Sequence, residues 1–466
     1  MIAPVSALKR TLRGWREGSA NHRILAALIT VGGLTLLVRG AGIAKQFAIA
    51  WCFGTRDVFD AFLAALLLPV FFVSVVESSF NAAFIPTYVA VRRREGEAAA
   101  ERLLASVLGW TVAILGLFSI ALWIFAGPLL RLTASGFGPA KLATAHTLLL
   151  WLLPMLLAGG LTAIGGAVLN ARGRFALAAV APVMTPLLPI VAIVGFGHRF
   201  GIYALAAGTV LGALSETAII FWGLSRHGVS LRGLIPRARA LTAPSRAVRQ
   251  VLAQLLPMVA GALIMSSAQV VDQAMAAQLG SGSVAALSYG QRLAGFAVGI
   301  AALSLGTAIL PQFSEMVSDG DFAGIRHSLG TYGRFILLLT VPATLALVAL
   351  SGPLTTLIYQ RGAFTAADAR LVSEVQSLFF LQLPFYLIGI LGVRLLSALG
   401  HNRTLLAISA VNVVTNLAGD WLLMKWIGLP GIALSTSLVY AASAGLIWWA
   451  VKAKLPAHAI GRQACE

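Results

Sequence analysis

Three basic residues stand inside strongly apolar stretches, with no acidic residue near them in the sequence. Arg39 and Lys45 lie in TLLVRGAGIAKQFAIA, and Arg292 lies in LSYGQRLAGFAVG. A lone charge near the middle of a bilayer costs a few kcal/mol, so it normally faces a partner or a water-filled cavity. Guanidinium and ammonium groups suit phosphate, the former through its planar fork and the latter as a point charge. These residues therefore predict a cavity that receives an anion.

Each of these cations has an alternative interpretation. Six positions separate Arg39 from Lys45, which leaves them about 120 degrees apart and able to converge on one wide cavity. Either side chain could instead snorkel to the outer interface. The alternative for Arg292 is a buried pair with Asp272 of the seventh span. Arg394 lies about one turn from the inner end of its span, where snorkelling is the favoured interpretation.

Intramembrane acids and amides form a second group of candidates. Asp60 begins the second span at its outer side, where helix N-capping is the alternative role, and Glu77 lies deep in the same span. Asn412, Asn416 and Asp420 recur every fourth residue and so share one helix face.

With the hydroxyls of the next helix, that face offers hard oxygen ligands for Na⁺ or a relay for a proton. Interhelical hydrogen bonding is the alternative for the asparagines. The residues predicted to support transport or couple it to an ion are Asp272, Glu216, Asn412, Asn416, Asp420 and Thr436. No cofactor is assigned, and Asn416 and Asp420 are the candidates for Na⁺.

The elements that position these residues follow from composition. The chain has 466 residues, of which 59% are hydrophobic and 11% charged, and apolar runs of twenty or more recur throughout. Since no unpaired backbone group is tolerated in lipid, such runs indicate an all-α polytopic membrane protein. The twelve predicted spans are 24–50, 58–90, 103–127, 143–168, 176–197, 202–224, 251–279, 284–313, 335–351, 373–398, 404–426 and 431–451. The second and eighth exceed a straight crossing, and Pro86 and Pro311 are predicted break points.

The distribution of basic residues predicts the orientation. Of the 34 Lys and Arg residues, 23 fall in segments that lie inside if the N-terminus is cytoplasmic, and seven fall in outside loops. This positive-inside asymmetry places both termini in the cytoplasm. The net charge of +18 therefore indicates orientation and contact with anionic lipid rather than nucleic acid.

The two halves of the chain are predicted to be copies of one six-helix unit. AIAWCFGTRDVFDAF, FNAAFIPTYVA and FAGPLLRL in the first half correspond to AMAAQLGSGSVAALSYG, LGTAILPQFSE and LSGPLTTL in the second. An even number of spans gives both copies the same orientation, which is the parallel-repeat plan of transporters. The predicted domains are a basic N-terminus (1–23), an N-lobe (24–225), a basic linker (226–250), a C-lobe (251–452) and a tail (453–466).

Several of these segments resemble the MurJ/MviN flippases of the MOP exporter superfamily. The similar stretches are LVRGAGIAKQFAIAWCFGTRDVFDAFLAALLLPVFFVSVVESSFNAAFIPTYV, LSYGQRLAGFAVGIAALSLGTAILPQFSE, LSGPLTTLIYQRGAFTAADA and RLLSALGHNRT. The resemblance runs from about residue 30 to residue 452. It implies two six-helix lobes in a V. It also implies transport of lipid II, an undecaprenyl-pyrophosphate disaccharide-pentapeptide, toward the outer face of the bacterial cytoplasmic membrane.

Position by position, Arg39, Lys45 and Arg292 fall where that family has cavity cations, and Asp60 and Glu77 fall where it has acids. The resemblance thus implies that these five residues bind the substrate.

The chain also departs from the family pattern. Twelve spans stand against the typical fourteen, and Val73 and Ser74 stand where a cationic pair is usual. Glu216 replaces a glutamine, and GHN replaces GDT after the tenth span. A sister flippase that moves another polyprenyl-pyrophosphate glycan therefore remains an alternative.

Other function classes fit the sequence less well. A drug/cation antiporter of the same superfamily predicts an acidic cavity, against the preponderance of intramembrane Arg and Lys. A non-transporting scaffold in a cell-wall assembly complex is a further alternative. A membrane enzyme would need clustered acids in a sizeable loop, which the sequence lacks. No P-loop motif for ATP is present either. The energy for transport is therefore expected to come from an ion gradient or the membrane potential. Expected partners are the lipid-linked glycan pyrophosphate, membrane lipids and cell-wall synthesis proteins.

Overall fold

The computed structural model describes residues 20–230 and 246–455, with side chains described except at 20–31, 80–82, 246, 256–257, 265, 300–308 and 310–311. This part of the chain folds into α-helices, with a short 3-10 turn at Ala181–Val183 and no strand. The helices are α1 (Ala20–Phe53), α2 (Asp57–Glu95), α3 (Glu97–Thr133), α4 (Pro139–Ala171), α5 (Phe175–Val180), α6 (Met184–Phe200), α7 (Ile202–Arg226), α8 (Arg246–Ala276), α9 (Ser283–Ser318), α10 (Phe322–Ala349), α11 (Ser351–Tyr359), α12 (Ala366–Phe380), α13 (Gln382–Ala398), α14 (Asn402–Ile427) and α15 (Leu429–Lys454).

Every predicted span coincides with a helix or a pair of consecutive helices. In the described chain, 11 helical stretches are long and apolar enough to cross a membrane, and the remaining predicted span, the eighth, coincides with α9. The predicted all-α polytopic architecture is therefore confirmed.

Two details of the predicted spans are wrong. α10 begins at Phe322 rather than near residue 335, because Asp321 caps it by accepting a hydrogen bond from the Gly324 amide at 2.8 Å. The helix thus starts before the apolar run that marked the span. α2 continues through Pro69 and Pro86 without a break, and α9 likewise continues through residue 311. A proline's missing amide bond can be compensated locally in a membrane helix.

The chain divides into two compact units. Of the described residues, unit 1 contains those within 1–52, 68–127 and 146–262, and unit 2 contains those within 53–67, 128–145 and 263–466. The predicted termini and basic linker lie largely outside the described residues, so the predicted domain limits stay a prediction.

An ion-pair network joins the ends of several helices in unit 1. Arg172, whose side chain is 8% exposed, donates to the Tyr88 hydroxyl at 3.0 Å and to the His227 carbonyl at 3.2 Å. It also donates to Glu97 at 2.7 Å. Arg92 binds the other oxygen of Glu97 at 2.6 Å. One arginine thus ties the ends of α2 and α7 to the start of α3.

The core of unit 2 lies among α9, α10, α13 and α15. Its fully buried members include Phe313, Ile325, Leu391 and Leu395. Gly392 permits close packing of α13 on α15, since a Cβ there would lie 3.7 Å from Val451 and closer still to Ile447. Small residues at such contacts let membrane helices approach each other.

One end of unit 2 is stabilised by a buried carboxylate. Asp60 is 0% exposed and accepts hydrogen bonds from the backbone amides of Gly282 and Ala285, both at 2.7 Å. Lys141 pairs with Asp60 at 2.6 Å and with the more exposed Asp57 at 2.5 Å. A carboxylate at a helix N-terminus satisfies unpaired amides and complements the helix dipole. Asp60 therefore caps α9 and not, as the alternative interpretation held, its own helix.

Contacts with α12 strengthen this arrangement. Thr55 donates to Asp368 at 2.5 Å, and Asp368 forms a capping box with Thr365 at the start of α12. Gly282 has φ +79°, and a Cβ there would lie 2.6 Å from the Thr55 carbonyl oxygen. The segment that leads into α2 is thereby docked on the N-termini of two helices of unit 2.

The network of Arg172 predicts a measurable stability difference. Arg172→Met keeps the apolar stem but leaves the Tyr88 hydroxyl and the His227 carbonyl without their partner, so we expect a loss of about 2 kcal/mol. The midpoint of thermal unfolding of the purified protein should fall by several degrees. Arg174→Met, at an exposed position, is the control. Equal midpoints for the two variants would show that the network contributes nothing.

The capping role of Asp60 predicts a change in local opening. Asp60→Asn places an amide donor against backbone donors, whereas Asp57→Asn alters a side chain that is 57% exposed. In a Cys52→Ser, Cys465→Ser background, a cysteine in place of Ser283, which is 6% exposed, reports release of the docked segment. We expect maleimide labelling to be several-fold faster with Asp60→Asn than with Asp57→Asn. Identical rates would contradict the capping role.

Candidate functional site

The two predicted cations of unit 1 lie on α1. Arg39 is exposed, and within the described part of the chain no carboxylate pairs with it. Lys45 is half-buried, one position before the buried Gln46. An exposed guanidinium on a helix of membrane-spanning length must face water, headgroups or an anion.

Arg292 of unit 2 is an exposed guanidinium beside buried aromatic rings. It lies ten positions into α9 and interacts electrostatically with Tyr359 and Tyr289. The centroid of the Tyr289 ring lies 5.1 Å from that of Tyr359 and 5.4 Å from that of Phe364. The Tyr289 hydroxyl donates a hydrogen bond to the Gly54 carbonyl at 3.3 Å. Burial raises the pKa of Tyr359 to about 12, so its hydroxyl stays protonated at neutral pH.

The alternative in which Arg292 pairs with Asp272 is wrong. Both residues are described, and no ion pair joins them. Asp272 instead accepts a hydrogen bond from the Asn416 amide at 3.1 Å and lies beside Asp420. The guanidinium is therefore not neutralised by this carboxylate.

Unit 1 brings two predicted acids together. Glu77 on α2 is exposed and interacts electrostatically with Glu216 on α7. The Thr185 hydroxyl donates to Glu216 in a short hydrogen bond. The proximity of α2 and α7 at this point, which sequence spacing does not reveal, links a residue predicted to bind substrate with one predicted to support transport.

Unit 2 contains a buried cluster of oxygen atoms. Asp272, Asn416 and Asp420 are 4%, 2% and 0% exposed. Within the described chain, both carboxylate oxygens of Asp420 and the amide oxygen of Asn416 lack a hydrogen-bond donor. Ser435 lies beside Asp420 and Thr436 beside Asp272. Oxygens buried in this way need a cation or a shared proton, because two adjacent carboxylates cannot both remain charged without one.

The predicted face of α14 carries both kinds of contact foreseen for it. Asn412 donates to the Ser443 hydroxyl of α15 at 2.9 Å, which is interhelical hydrogen bonding. Asn416 takes part in the oxygen cluster. Helix periodicity predicted that these residues share one face. Their roles differ because Asn412 has its partner on α15 and Asn416 has its partner on α8.

The structure thus groups Glu77 with Glu216, and Asp272 with the polar face of α14. It places Asp60 against the start of α9. The convergence of Arg39, Lys45 and Arg292 on one cavity stays a prediction. Sequence reasoning missed Lys141 as the partner of Asp60. The available signal was a lysine in a predicted outside loop, together with two acids three residues apart at the start of the second span.

Comparison with known proteins gives a consistent result. The model of the family described as lipid II flippase MurJ matches residues 49–462. The lipid II flippase MurJ of Burkholderia cenocepacia is 29% identical over 429 residues, which cover 88% of this chain and 80% of that protein. The probable lipid II flippase MurJ of Rhizobium tropici is 29% identical over 426 residues, covering 89% and 78%.

Solved structures share the fold. A lipid II flippase MurJ in an inward closed conformation has a TM-score of 0.78 and 22% identity, covering 91% of this chain and 87% of that one. An inward-facing multidrug resistance MATE family transporter of the MOP superfamily has a TM-score of 0.74 and 16% identity, covering 91% and 98%. The chain therefore shares the fold of these two transporters, and it belongs to the lipid II flippase MurJ family.

Proposed function

We propose that the chain is a flippase that moves lipid II from the inner to the outer leaflet by alternating access. Membership of the MurJ family supports the substrate class. The observation that carries the proposal is the exposed Arg292, which lies on a membrane helix without a carboxylate partner in the described chain. A guanidinium left in this state is suited to an anion that arrives from outside the protein.

The chemistry of the headgroup fits these residues. A diphosphate presents several oxygens to planar guanidinium donors, so Arg39 and Arg292 suit it through paired hydrogen bonds. Lys45 adds a point charge. The resemblance groups the acids Asp60 and Glu77 with these cations, but we assign them other roles. Asp60 caps α9, and Glu77 interacts electrostatically with Glu216.

The buried oxygen cluster supports coupling to a cation. Asp272, Asn416, Asp420 and Thr436 would hold either Na⁺ or a shared proton. Carboxylate, amide and hydroxyl oxygens are the ligands a hard cation prefers. A bound cation would supply the positive charge that the two adjacent carboxylates lack.

The placement in the cell follows from the same proposal. The chain is a multi-pass membrane protein, and its positive-inside asymmetry supports a bacterial inner-membrane location with both termini cytoplasmic. Flipping breaks no covalent bond, so the protein is a transporter rather than an enzyme. Membrane lipids and cell-wall synthesis proteins are its proposed partners.

A second lipid-linked glycan remains an alternative substrate, since Glu216 and the residues at 73 and 74 depart from the family pattern. The alternative of a drug/cation antiporter fits poorly with Arg39, Lys45 and Arg292. Exposed cations repel cationic substrates.

Loss of a cavity cation predicts loss of transport without loss of protein. Arg39→Ala should fail to rescue a strain depleted of its lipid II flippase, while membrane levels stay normal, because the headgroup loses a charged partner. The control is Arg131→Ala, an exposed cation at the end of α3. Full rescue by Arg39→Ala would remove the anion-binding role, and failure of the unaltered chain to rescue would point to another lipid-linked glycan.

The oxygen cluster predicts a specific change in ion dependence. Lipid II flipping in proteoliposomes, measured with Na⁺ replaced by choline and separately with an imposed pH gradient, should respond to one of the two cations. Asp420→Asn should abolish that response because the amide neutralises one of the paired carboxylates. The matched control is Asp319→Asn, at an exposed position after α9. A response that survives in Asp420→Asn would place coupling elsewhere.

A further inference from the structure

A second intramembrane arginine of unit 2 has no assigned role. Arg394 lies four positions before the end of α13, and snorkelling to the inner interface was the favoured interpretation. The side chain is half-buried and interacts electrostatically with Tyr386, two turns earlier on the same helix. Helix side chains tilt toward the N-terminus, which here means away from the inner interface and into the membrane. The electrostatic interaction with Tyr386 agrees with that direction.

A second tyrosine extends the group onto α15. The rings of Tyr386 and Tyr440 lie 5.2 Å apart at an interplanar angle of 78°. Both are half-buried, so their edges remain accessible. Together with Arg394 they present hydroxyl and guanidinium donors, and in the described chain no carboxylate forms an ion pair with this arginine.

The register of the two helices adds a fourth donor. Tyr386 meets Tyr440, and six residues further along α13 Gly392 meets Ile447, so α13 and α15 run parallel. The same register places Trp448 at the level of Arg394. The indole N–H of Trp448 is buried and has no acceptor within the described chain. Buried donors without an acceptor are rare in folded proteins, and each calls for a missing partner.

We propose that Arg394, Trp448, Tyr386 and Tyr440 form an anion-binding station in the inner half of unit 2, which takes an oxyanion of the lipid-linked substrate. This station rests on the proposed function and lies apart from Arg292, which is near the outer end of α9. An anion there would satisfy the orphan indole donor and the unpaired guanidinium together. In a flippase loading from the inner leaflet, the station would receive the headgroup first.

The substrate offers two sources of such an oxyanion, the carrier diphosphate and the carboxylates of the peptide. Both accept hydrogen bonds from guanidinium, indole and hydroxyl donors. Inorganic pyrophosphate and acetate represent the two sources as soluble probes.

The test measures binding of radiolabelled pyrophosphate to the full chain in nanodiscs. An Arg39→Gln, Lys45→Gln, Arg292→Gln background removes the other proposed anion-binding cations. In that background, we expect Arg394→Gln to weaken binding about tenfold or more, since a charge-assisted hydrogen bond is lost. Trp448→Phe, which keeps an aromatic ring but removes the N–H donor, should weaken it several-fold.

Matched controls separate the station from general charge effects. Arg403→Gln and Trp449→Phe alter exposed residues of the same types on α14 and α15 and should leave binding unchanged. If equimolar acetate displaces the bound pyrophosphate, the station is assigned to carboxylates. If acetate does not displace it, the station is assigned to the diphosphate. Pyrophosphate binding that is absent in the background, or insensitive to both Arg394→Gln and Trp448→Phe, would overturn the proposal.

Failure of the station is distinguishable from failure of the proposed function. If the unaltered chain flips lipid II while the pyrophosphate result is negative, the station is wrong and the function stands. If the station binds pyrophosphate but the chain moves no lipid II, the function is wrong and the site stands.

Discussion

The cost of placing charge in hydrocarbon governs the arrangement of every ionisable side chain on the membrane helices of this protein. A charged group there needs a partner, a proton, an ion or water. Asp60 meets this requirement within the protein, through two backbone amides and Lys141. Arg39 and Arg292 do not, since the described chain gives them no carboxylate. The unmet requirement of the arginines is what makes them candidates for binding an external anion.

The same constraint distinguishes buried acids that have hydrogen-bond donors from buried acids that lack them. Asp60 has donors for both oxygens and joins α2 to the start of α9. Asp420 is equally buried but has no donor in the described chain. The proposed cation or shared proton would balance its charge. Sequence alone presents both as lone aspartates in apolar runs. Their difference is visible only in the hydrogen-bond partners.

Much of the fold could be predicted because apolar length alone marks a membrane helix. Helix periodicity also placed Asn416 and Asp420 on one face of α14. Partners were harder to predict, because they depend on which helices meet and in what register. One interpretation therefore paired Asp272 with Arg292, although Asn416 and Asp420 are the residues that lie beside Asp272. The start of α10 was missed for a different reason, since its first turns are polar and only the cap at residue 321 marks them.

Positive charge on membrane helices is proposed to receive the diphosphate of a lipid-linked precursor. The most direct measurement is an experimental structure of the chain with lipid II bound in a lipid bilayer mimic. We expect phosphate oxygens within hydrogen-bonding distance of the Arg39 and Arg292 guanidinium groups, with Lys45 nearby. Density for the diphosphate elsewhere, with both guanidinium groups turned toward acyl chains, would contradict it.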